Sequence, residues 1–432
     1  MPEPGAAAGR RYPGAYDAHA TYGRLREAGL LGDCSYLHVS PRAAEIGWAP
    51  VARLRLDAWH EDWRARITGF AASLAPRYKA FGYAGFDVVD GAAGTRPDGS
   101  PGGPPLVDLI APGETIAFDA DGAVHCSEGG VDVAPHLATR ATGDAGDRPR
   151  VALTPVAATS EAEFLETVGS AIARIRAREV HKVVASRYQA FDVQYDPLTL
   201  FEVHCLRRPF VDAFLICFGE TVAVVPSPEL LLDVEARRLV TNPLAGTRPR
   251  GATTEEDERL RQELRLDHKE IAEHVLSVTT MIEQLRPICE PGSVVVTELM
   301  GMCIQQRVQH LSSVLEARLG DGRHALDALW ALFPSVTIAG FPKEAAIRAV
   351  RAIERTPRGL YSGVIGWVRG PSDCRFALTI RGIYRYGART YLQAGAGIMI
   401  ESVPELELSE TTYKLAGAAE ALAEAVARHR AG

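Results

Sequence analysis

The sequence has no apolar run as long as the roughly 18 residues that mark a membrane-spanning helix, no Cys-x-x-Cys pair and no excess of basic residues. The first absence argues against a span and leaves no membrane partner. The second concerns seven cysteines (34, 126, 205, 217, 289, 303 and 374), odd in number and scattered. They read as reduced thiols, not as a disulfide framework or zinc site, and so place the protein in a cytoplasm. The third, a net charge of −7, argues against a general nucleic-acid surface. The N-terminal MPEPGAAAGRRYPGAYDAHA lacks the apolar core of a signal peptide, and Tyr-Pro-Gly after Arg10-Arg11 does not fit a twin-arginine signal. No internal repeat is found.

What is present is ordinary globular composition: 432 residues, 47% hydrophobic and 23% charged, long enough for a large core. Length alone is a soft prior for about three domains, yet the only composition break falls near 137–160. Residues 1–33 read as a loose surface cover. Helical spacing appears over 61–77 and 160–179, the latter opening with Ser160 and Glu163 as a capping box. Strands are expected at 81–89, twice within 106–128 with turns at Pro-Gly and Asp-Gly, at 180–191, and as a meander over 212–246. One long helix is expected over 254–285, with others near 324–333, 342–354 and 404–429. Strands are expected at 363–369, 375–385 and 391–402, and loops at 90–105 and 137–150. The mixture, with many antiparallel pairs, points to an α+β protein.

The stretch AGAGIMIESVPELELSETTYKL (394–415) sets glycines beside a dense run of acids. With Pro404 at the first helical position, Glu407, Glu410 and Lys414 share one helix face. In LDHKEIAEHVLSV (266–278), Glu270 and Glu273 share another. Two such helices can converge on one hard cation, for which oxygen ligands and Mg²⁺ are the natural match. Acidic first turns are also what a helix dipole favours on a solvated face. A di-iron bundle would want Glu-x-x-His pairs; His274 stands four residues after Glu270, and the last helix offers no such histidine.

Nine stretches in order over about 160–430 resemble the chorismate-utilising enzymes, the catalytic chains of anthranilate, aminodeoxychorismate, isochorismate and salicylate synthases. They are KVVASR (182–187), SPELLL (227–232), NPLAGTRPRG (242–251), KEIAEHVLSV (269–278), VQHLSSVLEARL (308–319), LFPSVTIAGFPKEAAI (332–347), RGLYSGVIGW (358–367), ALTIRGIY (377–384) and QAGAGIMIESVPELELSETTYKL (393–415). Residues 1–150 match more weakly, mainly through FGYAGFD. The resemblance implies a single large domain over 1–432, with a more variable part (1–150) and a core (160–430). It also implies two antiparallel sheets packed face to face with helices outside, and Mg²⁺ and chorismate as ligands. By motif position Glu273 and Glu410 would hold the metal directly, with Glu270 and Glu407 as added or water-mediated ligands. Gly246, Thr247 and Lys414 would flank the ring carboxylate; Tyr361, Arg381 and the backbone at Gly395 would hold the enolpyruvyl carboxylate. Glycine suits close backbone approach to a ligand.

The branches differ by nucleophile. Lys182, on a strand face with Val180 and Val184, stands where the water-using enzymes carry a general base and the ammonia-using ones glutamine. Glu229 matches the general acid that protonates the departing 4-hydroxyl. Ala245 replaces the nucleophilic lysine of many aminodeoxychorismate synthases, LSVTTMIEQL lacks the Arg-Asn-Asp stretch of anthranilate synthases, and no amidotransferase motif is present. Water is therefore the expected nucleophile and no glutaminase subunit is expected; the chain is expected to act as a monomer. FPSVTIAGFPK with Thr337, RGLYSG, and VQHLSS with His310 point to the salicylate-forming branch, with Thr337 and His310 as catalytic candidates. VIGW (364–367) is closer to the isochorismate-only branch. ELELSET departs from the usual EREFEET through Leu408 and Ser409, which bears on ligand geometry. A non-catalytic binding protein on the same scaffold, or an interaction module using the acidic helices, would not require Lys182 and Glu229.

Overall fold

The structure, a computed structural model, describes residues 9–41, 43–89, 103–139, 151–207 and 211–431. In chain order the elements are β1 (Arg10–Pro13), α1 (Ala18–Glu27), β2 (Cys34–Val39), β3 (Ala44–Leu56), α2 (Trp63–Ser73), β4 (Ala80–Ala84), β5 (Val107–Asp119), β6 (Gly122–Ser127), β7 (Ala157–Ala158), α3 (Glu161–Arg176), β8 (Lys182–Phe191), α4 (Pro197–Phe201), β9 (Asp212–Phe218), β10 (Thr221–Ser227), β11 (Leu230–Glu235), β12 (Arg238–Thr241) and β13 (Leu244–Pro249). There follow α5 (Thr254–Leu266), α6 (His268–Leu285), β14 (Val295–Ile304), β15 (Val308–Arg318), α7 (Ala325–Leu332), β16 (Gly340–Phe341), α8 (Lys343–Ile353), β17 (Val364–Arg369), β18 (Asp373–Leu378), β19 (Ile383–Tyr386), β20 (Arg389–Ile398) and α9 (Pro404–Ala431). Among the described residues no helix is long and apolar enough to cross a membrane.

The architecture is α+β and the strand pairings are antiparallel. One sheet runs β1–β6–β5–β3–β2–β9–β10–β19–β20–β8, the other β3–β5–β4–β17–β18–β11–β12–β15 with β13 and β14 also on β15. The expected two sheets are present and face each other. β3 and β5 are long enough to belong to both, so the strands form one continuous hydrogen-bonded network. The pair bends where Ala49 takes a left-handed φ of 51° and the register slips between Pro50 and Ala52, opposite Pro112. The bulge is at Val51 of β3, and Pro112-Gly113 lies within continuous β5 opposite it and is not the turn expected; the turn falls at Asp121-Gly122.

The two halves pack through Phe81, Tyr83, Ile110 and Ile365 on one side and Tyr36, Phe214, Ile216 and Val225 on the other. Tyr36 and Phe81 stack across the sheets with ring centroids 3.6 Å apart. Helices cover the outer faces: α2, α6 and α7 through Trp63, Met281 and Leu329; α1, α4 and α9 through Tyr22, Phe201 and Leu422; α3 and α8 through Phe164 and Val350.

Other boundaries differ from expectation for local reasons. Residues 9–33 are not a loose cover: Asp17 caps α1 by accepting from the Ala20 N–H, and Tyr22 and Leu25 are buried. The helix expected over 254–285 is two, because Asp267 leaves helical geometry and caps α6 by accepting from Glu270 N–H. The strand expected over 81–89 ends at Ala84 and gives way to a 3-10 turn at Phe86–Val89. The strand expected over 375–385 breaks between β18 and β19, where Arg381 has φ 61°. β14 and β15 were not anticipated as a hairpin. The capping box of Ser160 and Glu163 is present at α3. The loops expected over 90–105 and 137–150 lie largely outside the described residues.

Candidate active site

β8 and β20 supply one wall of the site, and their pairing explains the glycines. A Cβ on Gly397 would lie 2.0 Å from Oε1 of Glu273, and one on Gly395 would lie 2.8 Å from the Tyr361 hydroxyl and 2.8 Å from the Ala185 carbonyl. The strand is therefore bare at Gly397 because α6 lays a carboxylate against it, and at Gly395 because β8 and Tyr361 close on it. Gly397→Ala is expected to push Glu273 aside and lower kcat/KM by about a hundredfold, with the far-UV spectrum unchanged; steady-state kinetics and circular dichroism check it.

A cavity of about 70 Å³ lies between this wall, the turn after β10, β13, β15 and the start of α9. Glu229, Gly246, Thr247, Glu273, His310, Thr337, Tyr361, Arg381, Gly395, Glu410 and Lys414 line it. Lys182, Glu270 and Glu407 do not. The volume is below the roughly 300 Å³ at which ligand clefts begin, so a ring-sized ligand enters by moving side chains. A larger cavity of about 360 Å³ lies between α3, the end of α8 and β8, sharing Gln393. It has the size but not the chemistry, since of the residues anticipated from sequence it holds none.

Glu229 follows β10 in Ser227-Pro228-Glu229, fixed by the Ser227 hydroxyl donating 2.8 Å to the Leu378 carbonyl. Burial pushes its carboxyl up to about 7, against the Thr337 hydroxyl, which donates 2.8 Å to Oε1 and favours the ionised form. Ser335 pairs with the same hydroxyl at 2.8 Å. An acid of this strength is half protonated near neutrality, as a proton donor requires.

Lys182 is fully buried beneath Glu273. Its ammonium lies 2.9 Å from Glu273 Oε1 and donates 3.2 Å to the Ser277 hydroxyl. It is an ion-paired lysine behind the cavity wall, and base chemistry requires it to part from Glu273.

His310 bridges two residues. Arg381 donates 2.9 Å to Nε2, so Nδ1 carries the proton and donates 3.0 Å to the Thr247 hydroxyl. Burial, with the charges of Arg381 and Lys414, lowers its pKa well below the ordinary value, so the ring is neutral. With both nitrogens engaged it links Arg381 and Thr247 in the cavity wall. Arg381 reaches the cavity from a left-handed backbone position, a conformation that costs about 1 kcal/mol or more for a residue with a Cβ. Burial pushes the Tyr361 phenol up to about 12, keeping it a neutral hydrogen-bond donor. Lys414 donates 2.8 Å to the Gly395 carbonyl and pairs with Glu410 one turn earlier on α9.

Glu270 accepts 2.8 Å from Thr247 N–H and 3.0 Å from Arg248. Glu407, on the buried face of α9, is pushed up to about 7 by burial, with Glu410 and Glu273 adding to the rise and Lys269 opposing it. Glu270 is likewise raised, burial first. Glu273 stays below the ordinary range because Lys182 and Lys269 outweigh its burial. The four carboxylates are hard oxygen donors gathered from two helices. That chemistry fits a hard divalent cation. As the side chains are placed, however, among the described residues no three acidic, histidine or cysteine groups stand close enough to hold one. Lys269 lies among them, a residue the acid-spacing argument passed over although it sits beside Glu270; Arg248 and Ser277 were missed in the same way. His274 is not a ligand: it bonds the Ala245 carbonyl and the Ser313 hydroxyl, and burial lowers it to about 4. Leu408 points away from the acids into the α3–α8 cluster.

The chain is 39% identical over 258 residues to a salicylate synthase of Mycolicibacterium paratuberculosis, covering 60% of this chain and 57% of that one. It is 31% identical over 403 residues to anthranilate synthase component 1 of Saccharolobus solfataricus, covering 90% and 92%. The menaquinone-specific isochorismate synthase MenF of Escherichia coli superposes with a TM-score of 0.73 at 20% identity, covering 98% and 96%, which speaks for the fold. Several curated relatives at 36–39% identity are matched over about half of their own length. Residues 33–420 match the chorismate binding enzyme family from end to end of the region that carries the site, and the chain belongs to that family.

Proposed function

We propose that the protein is a salicylate synthase that converts chorismate to salicylate and pyruvate through isochorismate, with Mg²⁺ as cofactor. The observation that carries the reading is Glu229, a buried acid with a pKa of about 7 in the same cavity as Arg381, Lys414 and Glu273. Lys182, parted from Glu273 and having released its ammonium proton to solvent, takes a proton from water as the water oxygen bonds to C2. Glu229 gives its proton to the hydroxyl leaving C4, and the ring double bonds shift between them. Arg381 and Tyr361 hold the enolpyruvyl carboxylate, and Gly246, Thr247 and Lys414 flank the ring carboxylate. In the second step the C2 hydrogen passes to the enolpyruvyl methylene as its C–O bond breaks, giving pyruvate and an aromatic ring. Glu273 and Glu410, with Glu270 and Glu407, would hold Mg²⁺, which supplies positive charge for the ring carboxylate. The 39% identity to a protein named salicylate synthase supports this branch. Water as nucleophile needs no glutaminase partner.

VIGW at 364–367 favours a second reading, an isochorismate synthase that stops after the first step. Product analysis decides. With chorismate and Mg²⁺ and no ammonia source, salicylate and pyruvate are expected in equal amounts, with turnover lost when Mg²⁺ is chelated. Isochorismate without pyruvate would move the protein to the second reading, and no conversion of chorismate would overturn both.

A further inference from the structure

One cation in the acidic cluster has no part in the chemistry above. The Lys269 ammonium lies 3.1 Å from Glu407 Oε1, 3.2 Å from Glu270 Oε1 and 3.8 Å from Glu273 Oε2. These carboxylates come from two helices, α6 and α9, and all three are buried. The other cations approach from the periphery: Lys182 at Glu273, Arg248 at Glu270 and Lys414 at Glu410. Lys269 alone of these four touches carboxylates of both helices. Its side chain retains 15% exposure, so its stem has a way out.

We propose that Lys269 is a tethered counter-cation that holds the divalent-ion position and is displaced toward solvent when the ion binds; this rests on reading the cluster as the metal site. An ammonium keeps carboxylate oxygens at about 3 Å, whereas Mg²⁺ draws them to about 2.1 Å. The same cluster is therefore too open for a metal while Lys269 is inside it, which accounts for the absence of a three-ligand constellation among the described residues. The tether spares buried Glu407 from standing without a cation, an arrangement that is strongly unfavourable. It also sets a condition on binding. Exchanging one positive charge for two leaves the cluster one charge more positive, and the carboxylate of an incoming anionic ligand restores the balance. Ion and ligand thus bind better together than apart.

The test is calorimetric titration of MgCl₂ into the wild type, K269M and K269R without substrate. K269M, which keeps the length of the stem and loses the charge, is expected to bind Mg²⁺ at least about tenfold tighter than the wild type, and K269R to stay near the wild type. Equal affinity in the wild type and K269M overturns the counter-cation role and leaves the metal site standing. No Mg²⁺ binding by any of the three, with chorismate present or absent, overturns the metal reading and this inference together. Because K269M can fail to fold, the wild type carries an independent readout. Acylation of Lys269 by a small amine-reactive reagent, quantified by mass spectrometry, is expected to rise severalfold on Mg²⁺ saturation; unchanged or reduced labelling overturns the displacement.

Discussion

Glu229→Gln is expected to lower kcat by about a thousandfold, inside the range assigned to a positioned general acid, and to leave chorismate affinity within a few-fold of the wild type. The amide keeps the shape and the contact with Thr337 but has no proton to give. The pH dependence follows from the same burial. The carboxyl titrates near 7, and the reaction needs the protonated form, so wild-type kcat is expected to fall as pH rises through about 7. Thr337 sets where that limb lies. Its hydroxyl donates to the carboxylate and stabilises the ionised form, so Thr337→Val should move the limb to higher pH. Stability follows the same proton. Between the ordinary carboxylate value of 4.5 and about 7 the folded state holds a proton that the unfolded chain has released, so this group makes stability fall as pH rises across that window. Glu229→Gln should flatten that slope in chemical denaturation measured at several pH values. A Glu229→Gln enzyme within tenfold of wild-type turnover would remove the residue from the acid role, as would a Thr337→Val enzyme with an unmoved limb.

Lys182→Gln should abolish turnover and weaken the fold at once. The ammonium is wholly buried and paired at 2.9 Å with Glu273, itself buried. Removing one member of such a pair leaves a charge without its partner and costs about 3–5 kcal/mol. A loss of that size would shift the urea midpoint clearly, and Lys269 near the same carboxylate places the outcome toward the lower end. The groups assigned to the two substrate carboxylates are untouched, so calorimetry should still detect chorismate binding. Full activity in Lys182→Gln would end the base assignment; lost binding with a normal urea midpoint would instead make the lysine a substrate contact.

The grouping of the candidate site residues could be read from the sequence because helical spacing does most of the placing. Glu270 and Glu273 share a face of α6, Glu407 and Lys414 share one of α9, and Gly397 of β20 accepts the first of these faces. What spacing does not contain is which groups face one another across elements. Lys269 was passed over because a lysine beside a glutamate in sequence normally points elsewhere, whereas here the first turn of α6 swings it toward α9. His310 read as a catalytic candidate because its motif matched; the contacts of its two nitrogens with Thr247 and Arg381 are set by the fold and not visible in the motif. The fold class was legible from mixed strand and helix patterns, but the link between the sheets was not. It depends on Ala49 leaving the strand region beside a bulge at Val51, and on Pro112-Gly113 running on as strand where local turn chemistry predicts a reversal. The break of α5 from α6 was hidden for a similar reason, since Asp267 ends one helix by starting the next and the charge pattern runs through it unbroken.

The pairing of β8 with β20 brings together residues 207 positions apart, as in the hydrogen bond from Gln393 to Ser186. Closing so long a loop costs entropy that no local contact returns, and a topology dominated by such contacts folds slowly. During synthesis β8 leaves the ribosome with an unsatisfied edge and waits for most of the remaining chain before its neighbour arrives. Refolding after dilution from denaturant should therefore recover the helical signal well before it recovers ligand binding, and the chain is exposed to misassembly for the interval between them.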